Sequence, residues 1–295
     1  MNEYNPLVSI IINCYNGEKY LAEAINSIYS QTYKNWEIIF WDNASSDRSA
    51  LIAKSYDSKL KYYNSNFTSS LSYARSNAIK KTSGKYISFL DCDDLWEKDK
   101  IEKQIKIISK NENIGFVYGL SEIIYDEFKN NFVSKKKKII PANDKLFEGM
   151  IFDKLMKEDF IPFPSVLIDR KKLLELGDFP SNYNHSIDYW IFLNLSKKYN
   201  IKLLNEVCCK YRIHKDNLSN TQHVICALEN IKIVKSLISY DTEKSVLLFH
   251  YSNLTIAYLK EKQFFKALTN IYNNGGLNLI IIRLIKKVIN IIKKI

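Results

Sequence analysis

Glycine is scarce in this chain, at 8 of 295 residues, and no stretch spells GxGxxG or GxxxxGK(S/T). The usual backbone cradle for phosphate is therefore missing, which disfavours a nucleotidyltransferase; a bound diphosphate must be held by metal and arginine instead. Cysteine is equally thin. The five present (Cys14, Cys92, Cys208, Cys209, Cys226) are odd in number and form no CxxC pair, which speaks against a zinc ribbon and against a disulfide framework. A reducing cytosol is the expected home. The opening MNEYNPLVSIIINCYN has only a short apolar run and no basic region before it, so it reads as a first strand rather than a signal peptide. Acidic residues fall short of basic ones, leaving a formal charge of +11, which implies an anionic partner: nucleic acid, a nucleotide-sugar or an acidic membrane surface.

What is present is a strong alternation. Through the first 120 residues, apolar runs of strand length alternate with helix-period segments, the pattern of an α/β protein with a mostly parallel, Rossmann-like open sheet flanked by helices. Strands are predicted at Leu7 to Asn13, Trp36 to Trp41, Lys59 to Tyr63, Lys85 to Leu90 and Ile114 to Leu120. Leu21, Ala24, Ile25 and Ile28 share one helix face, and Leu71, Ala74, Asn77 and Ala78 share another, with Gly84 expected to cap the second helix. From about 121 to 164, with the run Lys135 to Lys138 and the prolines Pro162 and Pro164, the pattern reads as loops. Helical periodicity returns at 222 to 276, where Ala257, Tyr258, Phe264, Phe265, Ala267 and Leu268 suggest a two-helix hairpin. On a helical wheel at about 100° per residue, the tail Leu277 to Ile295 gathers Arg283, Lys286, Lys287, Asn290, Lys293 and Lys294 on about a third of its circumference. Such a helix suits the interface plane of an anionic bilayer, since lysines recurring every turn would be stranded in a span.

Ligands of open α/β sheets bind at the carboxyl ends of the strands, so the residues just beyond each predicted strand carry the chemistry. The first strand ends in Asn13-Cys14-Tyr15-Asn16, the second in Asp42-Asn43 followed by Ser45, Ser46 and Asp47, and the fourth in Asp91-Cys92-Asp93-Asp94. Three carboxylates within four residues repel one another, and a divalent cation is the natural compensator; oxygen ligands of this kind suit Mg²⁺ or Mn²⁺. The bland alternatives are a polar turn with Asp94 capping a following helix over Leu95 to Ser109, an Asx-turn for Asp42, and a surface ion pair for Arg75.

Together these segments resemble the family-2 inverting glycosyltransferases of the GT-A fold. The resemblance rests on PLVSIIINCYN, on SIYSQTY (Ser27 to Tyr33), on WEIIFWDNASSDRS and on YARSNAIKKTSGKYISFLDCDDLW, which ends in the DxD element; it is dense from residue 6 to 120 and looser to about 220. It implies a glycosyltransferase domain over 1–221, with a nucleotide-binding half (1–120) and an acceptor half (121–221), a helical extension at 222–276 and the basic membrane-associating helix at 277–295. By the same likeness Asn13, Tyr15 and Asp42 bind the base, Tyr15 by stacking, and Arg75 contacts base or phosphate. Asp91 lies near the ribose, and Asp93 ligates the metal. A later acidic pair that opens a helix in the family matches Ile187-Asp188 in HSIDYWIFLNLSKKY, so the usual Glu is Ile here and Asp188 is the implied general base. In KYRIHKDNLS, His214 stands where relatives place a histidine near metal or diphosphate. For Asp188 the plain alternative is an acid favoured by a helix N-terminus, and for His214 a loop histidine.

The implied reaction moves a sugar from a nucleotide-sugar, UDP-linked by family likeness, to a hydroxyl of a glycan or lipid-linked acceptor in bacterial surface-polysaccharide synthesis. Its expected place is the inner face of the cell membrane, held peripherally by the tail. An alternative keeps the fold without catalysis, as a nucleotide-sugar-binding or scaffold protein in a membrane-bound assembly. Nucleic acid is not the expected partner, because the lysines cluster at 135–138 and in the tail instead of forming a stripe with stacking aromatics.

Overall fold

The first strand, β1 (Val8–Cys14), carries the sequence VSIIINC and is buried along almost its whole length, as a strand covered on both faces must be. It pairs in parallel with β2 (Trp36–Asp42) on one side and with β4 (Tyr86–Phe89) on the other, and β3 (Leu60–Asn64) extends the sheet beyond β2. Parallel pairing sets the carboxyl ends side by side: Asn13 faces Trp41, Cys14 faces Asp42, and Ile11 faces Phe89. In this computed structural model the described residues are 5–126, 137–217, 222–238 and 243–274. The predicted tail helix at 277–295, and Lys135 and Lys136 of the lysine run, lie outside them.

Helix α1 (Leu21–Tyr29) buries the predicted face of Leu21, Ala24, Ile25 and Ile28 against β1 and β2 residues such as Ile10, Ile12 and Phe40. After the short α2 (Ser49–Lys54), α3 (Leu71–Lys80) starts at Ser70, whose hydroxyl accepts from Tyr73 N at 3.2 Å. The end of α3 corrects an expectation. Its C-cap is Lys81, and Gly84 serves another purpose, because a Cβ there would stand 2.6 Å from Ser9 N and 2.7 Å from Leu7 O. Only glycine lets β1 pass this close.

Beyond β4 the sheet loses its parallel regularity. The order is β3-β2-β1-β4-β8-β6-β9-β5, with β7 paired to β6. The added strands are β5 (Leu95–Trp96), β6 (Ile114–Tyr125), β7 (Lys138–Ile140), β8 (Leu167–Asp169) and β9 (Asn200–Ile213). β8 runs antiparallel to both β4 and β6, whereas β9 runs parallel to β6. Asp94 caps no helix: Leu95 and Trp96 pair with Lys210 and Cys209, and α4 begins only at Lys100 (Lys100–Ile108). The stretch expected as loops holds the last turn of β6, then β7 and α5 (Phe152–Lys157), followed by α6 (Arg170–Leu174) and α7 (Ile187–Ser196).

Residues up to Phe152 together with Phe160–His214 make one compact unit, which contains the sheet. The second unit comprises Asp153–Asp159 and the chain from Lys215 onward, with helices α8 (His223–Leu237), α9 (Glu243–Lys260) and α10 (Phe264–Asn274). Val224, Ala227 and Ile231 of α8 pack on Leu254 and Ala257 of α9, and Asn270 of α10 donates to Tyr251 O and Thr255 Oγ1, both at 2.8 Å. Within this unit His250 Nε2 lies 2.8 Å from Met156 O. The hairpin read from the sequence is thus α9 and α10, but Phe264, Phe265 and Leu268 are exposed while Ala267 is buried. Among the described residues no helix is long and apolar enough to cross a membrane.

Candidate active site

The polar segments following β1 and β2 are zipped together through their backbones. Asn43 N donates to Cys14 O, Asn16 N to Ser45 Oγ, Gly17 N to Ser49 Oγ and Glu18 N to Asp47 Oδ2, at 2.8 to 3.0 Å. Ser46 N returns a bond to Asn16 Oδ1. The Ser-rich motif after β2 therefore serves to satisfy the donors of the first loop, and that loop presents Tyr15 with 54% of its surface exposed. Asp42, nearly buried, accepts from Tyr62 Oη at 2.7 Å and from Ser45 N at 2.8 Å, so the Asx-type turn is real and anchors this platform. Asn13, one residue before Cys14, has a buried Nδ2 with no hydrogen-bond partner.

The DxD turn follows β4, beside β1. Cys92 packs on the core around Cys14, and the contact between the two thiols lowers the Cys14 thiol and raises that of Cys92. Asp91 lies beside Arg75 of α3, at 3.5 Å from Nη2. Burial raises its carboxyl most; Arg75 opposes this, and the nearby charges of Asp93 and Asp188 add to it, leaving it at about 6 although its side chain keeps 38% exposure. Asp93 Oδ2 lies 2.9 Å from Nε2 of His214, the residue just after β9. Asp94 is buried, held by Arg212 N at 2.8 Å, and is pushed well above the ordinary carboxylate range by burial and by its two neighbours.

Arg75 is no surface ion-pair partner. Its side chain is 4% exposed, its guanidinium lies 3.9 Å from the centre of the Phe163 ring, and its Nη1 is buried without a hydrogen-bond partner. A desolvated guanidinium with an unused donor is a group built to meet an acceptor. Asp188 sits in the first turn of α7, its Oδ1 2.8 Å from Tyr189 N, and its charge reaches Asp91. Ile187, in place of the acid expected from the resemblance, is fully buried and contributes packing.

The carboxyl ends of β1, β2, β4 and β9, the start of α7 and, for Arg75, helix α3 thus supply the residues singled out in the sequence. Asp91 is the hub for Arg75, Asp93 and Asp188; His214 joins through Asp93, and Asn13, Tyr15 and Asp42 stand along the neighbouring strand ends. Arg212 was missed. It donates from Nε to Asp93 O at 2.8 Å and from Nη2 to Glu23 at 2.7 Å while lying 4.4 Å from the Tyr20 ring, so it fixes the backbone of the DxD turn. Its one trace in the sequence is its place in the same KYRIHKDNLS segment as His214. Phe163 was missed too, since nothing local links Pro162-Phe163-Pro164 to α3.

An open α/β sheet that gathers carboxylates and an arginine along its carboxyl edge, with a mixed second half, has the architecture of the GT-A fold. The chain belongs to glycosyl transferase family 2, whose profile matches residues 9–176, and is an inverting glycosyltransferase. It is 36% identical over 225 residues to a UDP-Glc:alpha-D-GlcNAc-diphosphoundecaprenol beta-1,3-glucosyltransferase of Escherichia coli, WfgD, covering 75% of this chain and 82% of that protein. A second Escherichia coli UDP-Glc:alpha-D-GlcNAc-diphosphoundecaprenol beta-1,3-glucosyltransferase, WfaP, is 30% identical over 248 residues, covering 83% of this chain and 92% of that protein. The solved structure of a Pyrobaculum calidifontis mannosyltransferase in complex with GDP-Man and Mn²⁺ shares the fold, with a TM-score of 0.63 at 17% identity over 98% of this chain and 81% of that one.

Proposed function

We propose that this enzyme transfers a sugar from a UDP-linked donor to a hydroxyl of a lipid-linked glycan during bacterial surface-polysaccharide assembly. The observation that carries the reading is the convergence of Arg75, Asp93 and Asp188 on the Asp91 carboxylate at the sheet's carboxyl edge. The naming of the two Escherichia coli relatives supports the donor and acceptor classes. In this reading Tyr15 stacks on the base, while Asn13 Nδ2 and a remaining lone pair of Asp42 engage its polar edge. Arg75 offers Nη1 to base or phosphate, and Asp91 meets the ribose.

The donor set fits a divalent metal that takes its other ligands from a diphosphate and water. Asp93 Oδ2 and His214 Nε2 lie 2.9 Å apart, and among the described residues no third acid, cysteine or histidine completes a metal-holding group with them. Mn²⁺ or Mg²⁺ held there by Asp93 and His214 supplies positive charge beside the diphosphate. Asp188 takes the proton from the acceptor hydroxyl as that oxygen attacks the anomeric carbon from the face opposite the leaving nucleotide, so configuration inverts. An ionised carboxylate is base enough, since the hydroxyl becomes acidic as the new bond forms. Arg75 stays fixed on Phe163 and meets the departing charge without reorganising. The domain scheme of 1–221, 222–276 and 277–295 accompanies this reading, with the basic tail on the inner face of the membrane.

A panel of nucleotide-sugars with Mn²⁺, scored first by thermal protection and then by transfer to a polyprenyl-diphosphate-linked sugar, tests the proposal. Asp188→Asn is expected to lower turnover about a thousandfold or more with donor affinity within about twofold of wild type, the signature of a lost base. Wild-type turnover in that variant would remove Asp188 from the reaction, and a panel with no stabilising donor would remove the reading.

A further inference from the structure

Helix α10 carries an apolar face that its own unit leaves uncovered. Its inward side is set by Ala267 and Asn270, the latter tied to α9 through Tyr251 and Thr255. Outward stand Phe264 at 62% exposure, Phe265 at 83%, Leu268 at 66% and Tyr272 at 90%. At about 100° per residue these four fall within an arc of about 100°, with no polar residue between them. Exposed aromatic surface of this kind marks a docking face rather than an ordinary soluble helix.

We infer that this face of α10 lies flat in the headgroup region of an anionic bilayer, with Phe264, Phe265, Leu268 and Tyr272 inserted. Three observations select a lipid surface. The side chains are mostly aromatic, the type that settles at the level between headgroup and acyl chain. The flanking charge is basic: Lys260, Lys262 and Lys266 are exposed, whereas Glu261, the only acid from Leu259 to Asn274, is engaged with Val224 N and Gln263 Nε2 at 2.9 Å each. The chain then continues into Leu277 to Ile295, which holds five basic residues and no acid. Each lysine near such a surface adds attraction that salt screens. The inference deepens the proposed action on a lipid-linked acceptor and rests on it for its purpose, by holding the enzyme where such an acceptor lives.

The full chain is sedimented with phosphatidylcholine vesicles, with and without phosphatidylglycerol, beside the double variant Phe265→Ser/Tyr272→Ser, which alters the two most exposed positions. Wild type is expected to bind the anionic vesicles, and the variant to bind them about tenfold less or weaker still, at an unchanged melting temperature. Phe265→Trp supplies a second readout, with added fluorescence quenched by brominated lipid only on anionic vesicles. Unchanged vesicle binding by the double variant would assign the membrane contact to the tail alone and overturn the inference. So would a wild-type dimer that the variant splits, since a second copy then covers the face, or a wild type that ignores both vesicles. Transfer to detergent-dispersed acceptor is measured in parallel: activity there without vesicle binding sinks only this inference, and vesicle binding without transfer sinks only the proposed function.

Discussion

Two thiols, those of Cys14 and Cys92, set how the DxD turn sits on the end of β1. The middle residue of the DxD element is packed inward on the end of β1, and Gly17 makes room for both: a Cβ on Gly17 would stand 2.8 Å from Cys92 Sγ and 2.9 Å from Cys14 Sγ. Gly17→Ala must therefore push on Cys92 and, through it, on Asp91 and Asp93. Donor affinity in the presence of metal is expected to fall about tenfold, with a stability loss of about 1–3 kcal/mol for overpacking; calorimetry and urea denaturation read the two effects, and unchanged affinity would show the turn to be indifferent to its middle residue. That the carboxylates belong together was legible in the sequence, because they crowd one strand end. The packing of Cys92 on Cys14 was not, for it depends on β1 and β4 being neighbours in the sheet.

Buried charge ties β2 and α4 to their neighbours, and each case predicts a stability that rises with pH, in a different window. On β2, Glu37 is buried yet accepts from Lys61, Ser9 and Ser83, joining β1, β2 and β3 to the turn before β4. Burial pushes its carboxyl up, but these bonds outweigh it and bring it down to about 2 from 4.5. A depressed acid contributes its full stability above about pH 4.5 and loses it as pH falls toward 2, an effect of about 3 kcal/mol. Glu37→Gln is expected to cost most of that at pH 7 and almost nothing near pH 2, checked by urea denaturation across the range. Lys100 on α4 is a base held below its usual range, so its window lies at high pH. It is fully buried, bonded to Ser88 Oγ, Gln104 Oε1 and Val166 O, and 4.0 Å from the centre of the Trp96 ring. Burial lowers it to about 8 from 10.5, so between these values the unfolded chain holds the proton and the folded chain does not. Wild-type stability relative to Lys100→Met should therefore climb above pH 8, by about 1.4 kcal/mol per pH unit; a flat difference would mean that the amine keeps its proton. Elements of the first half were legible because continuous apolar runs announce buried parallel strands. β8, three residues long, and β9, half-exposed along much of its length, carry no such pattern, and their pairing is decided by chain segments far away.

At the scale of the molecule the site is distributed over elements that the chain visits early and late. One side comes from β1, β2 and β4, and the opposite side from α7 and the end of β9, with Arg212 reaching back to clasp the DxD turn. The residues that follow strands were legible for that reason, while Arg212, Tyr20 and Phe163 act through contacts that only the closed sheet creates. Burial raises the carboxyls of Asp91 and Asp94 most, and the charge of Asp93 between them raises both further, so the ligand-free enzyme holds this turn at a cost. Removing the middle charge should then act oppositely on the two states. Asp93→Asn is expected to leave the ligand-free melting temperature equal to or above that of wild type, since repulsion on Asp91 and Asp94 is relieved. The same variant should lose the extra stabilisation that Mn²⁺ gives with donor, about 2.7 kcal/mol in wild type at a hundredfold excess over the dissociation constant. Melting curves with donor alone, metal alone and both together separate these effects. A variant that melts lower without ligand yet keeps the full metal-dependent shift would mean that Asp93 is a structural brace and that the cation is held elsewhere.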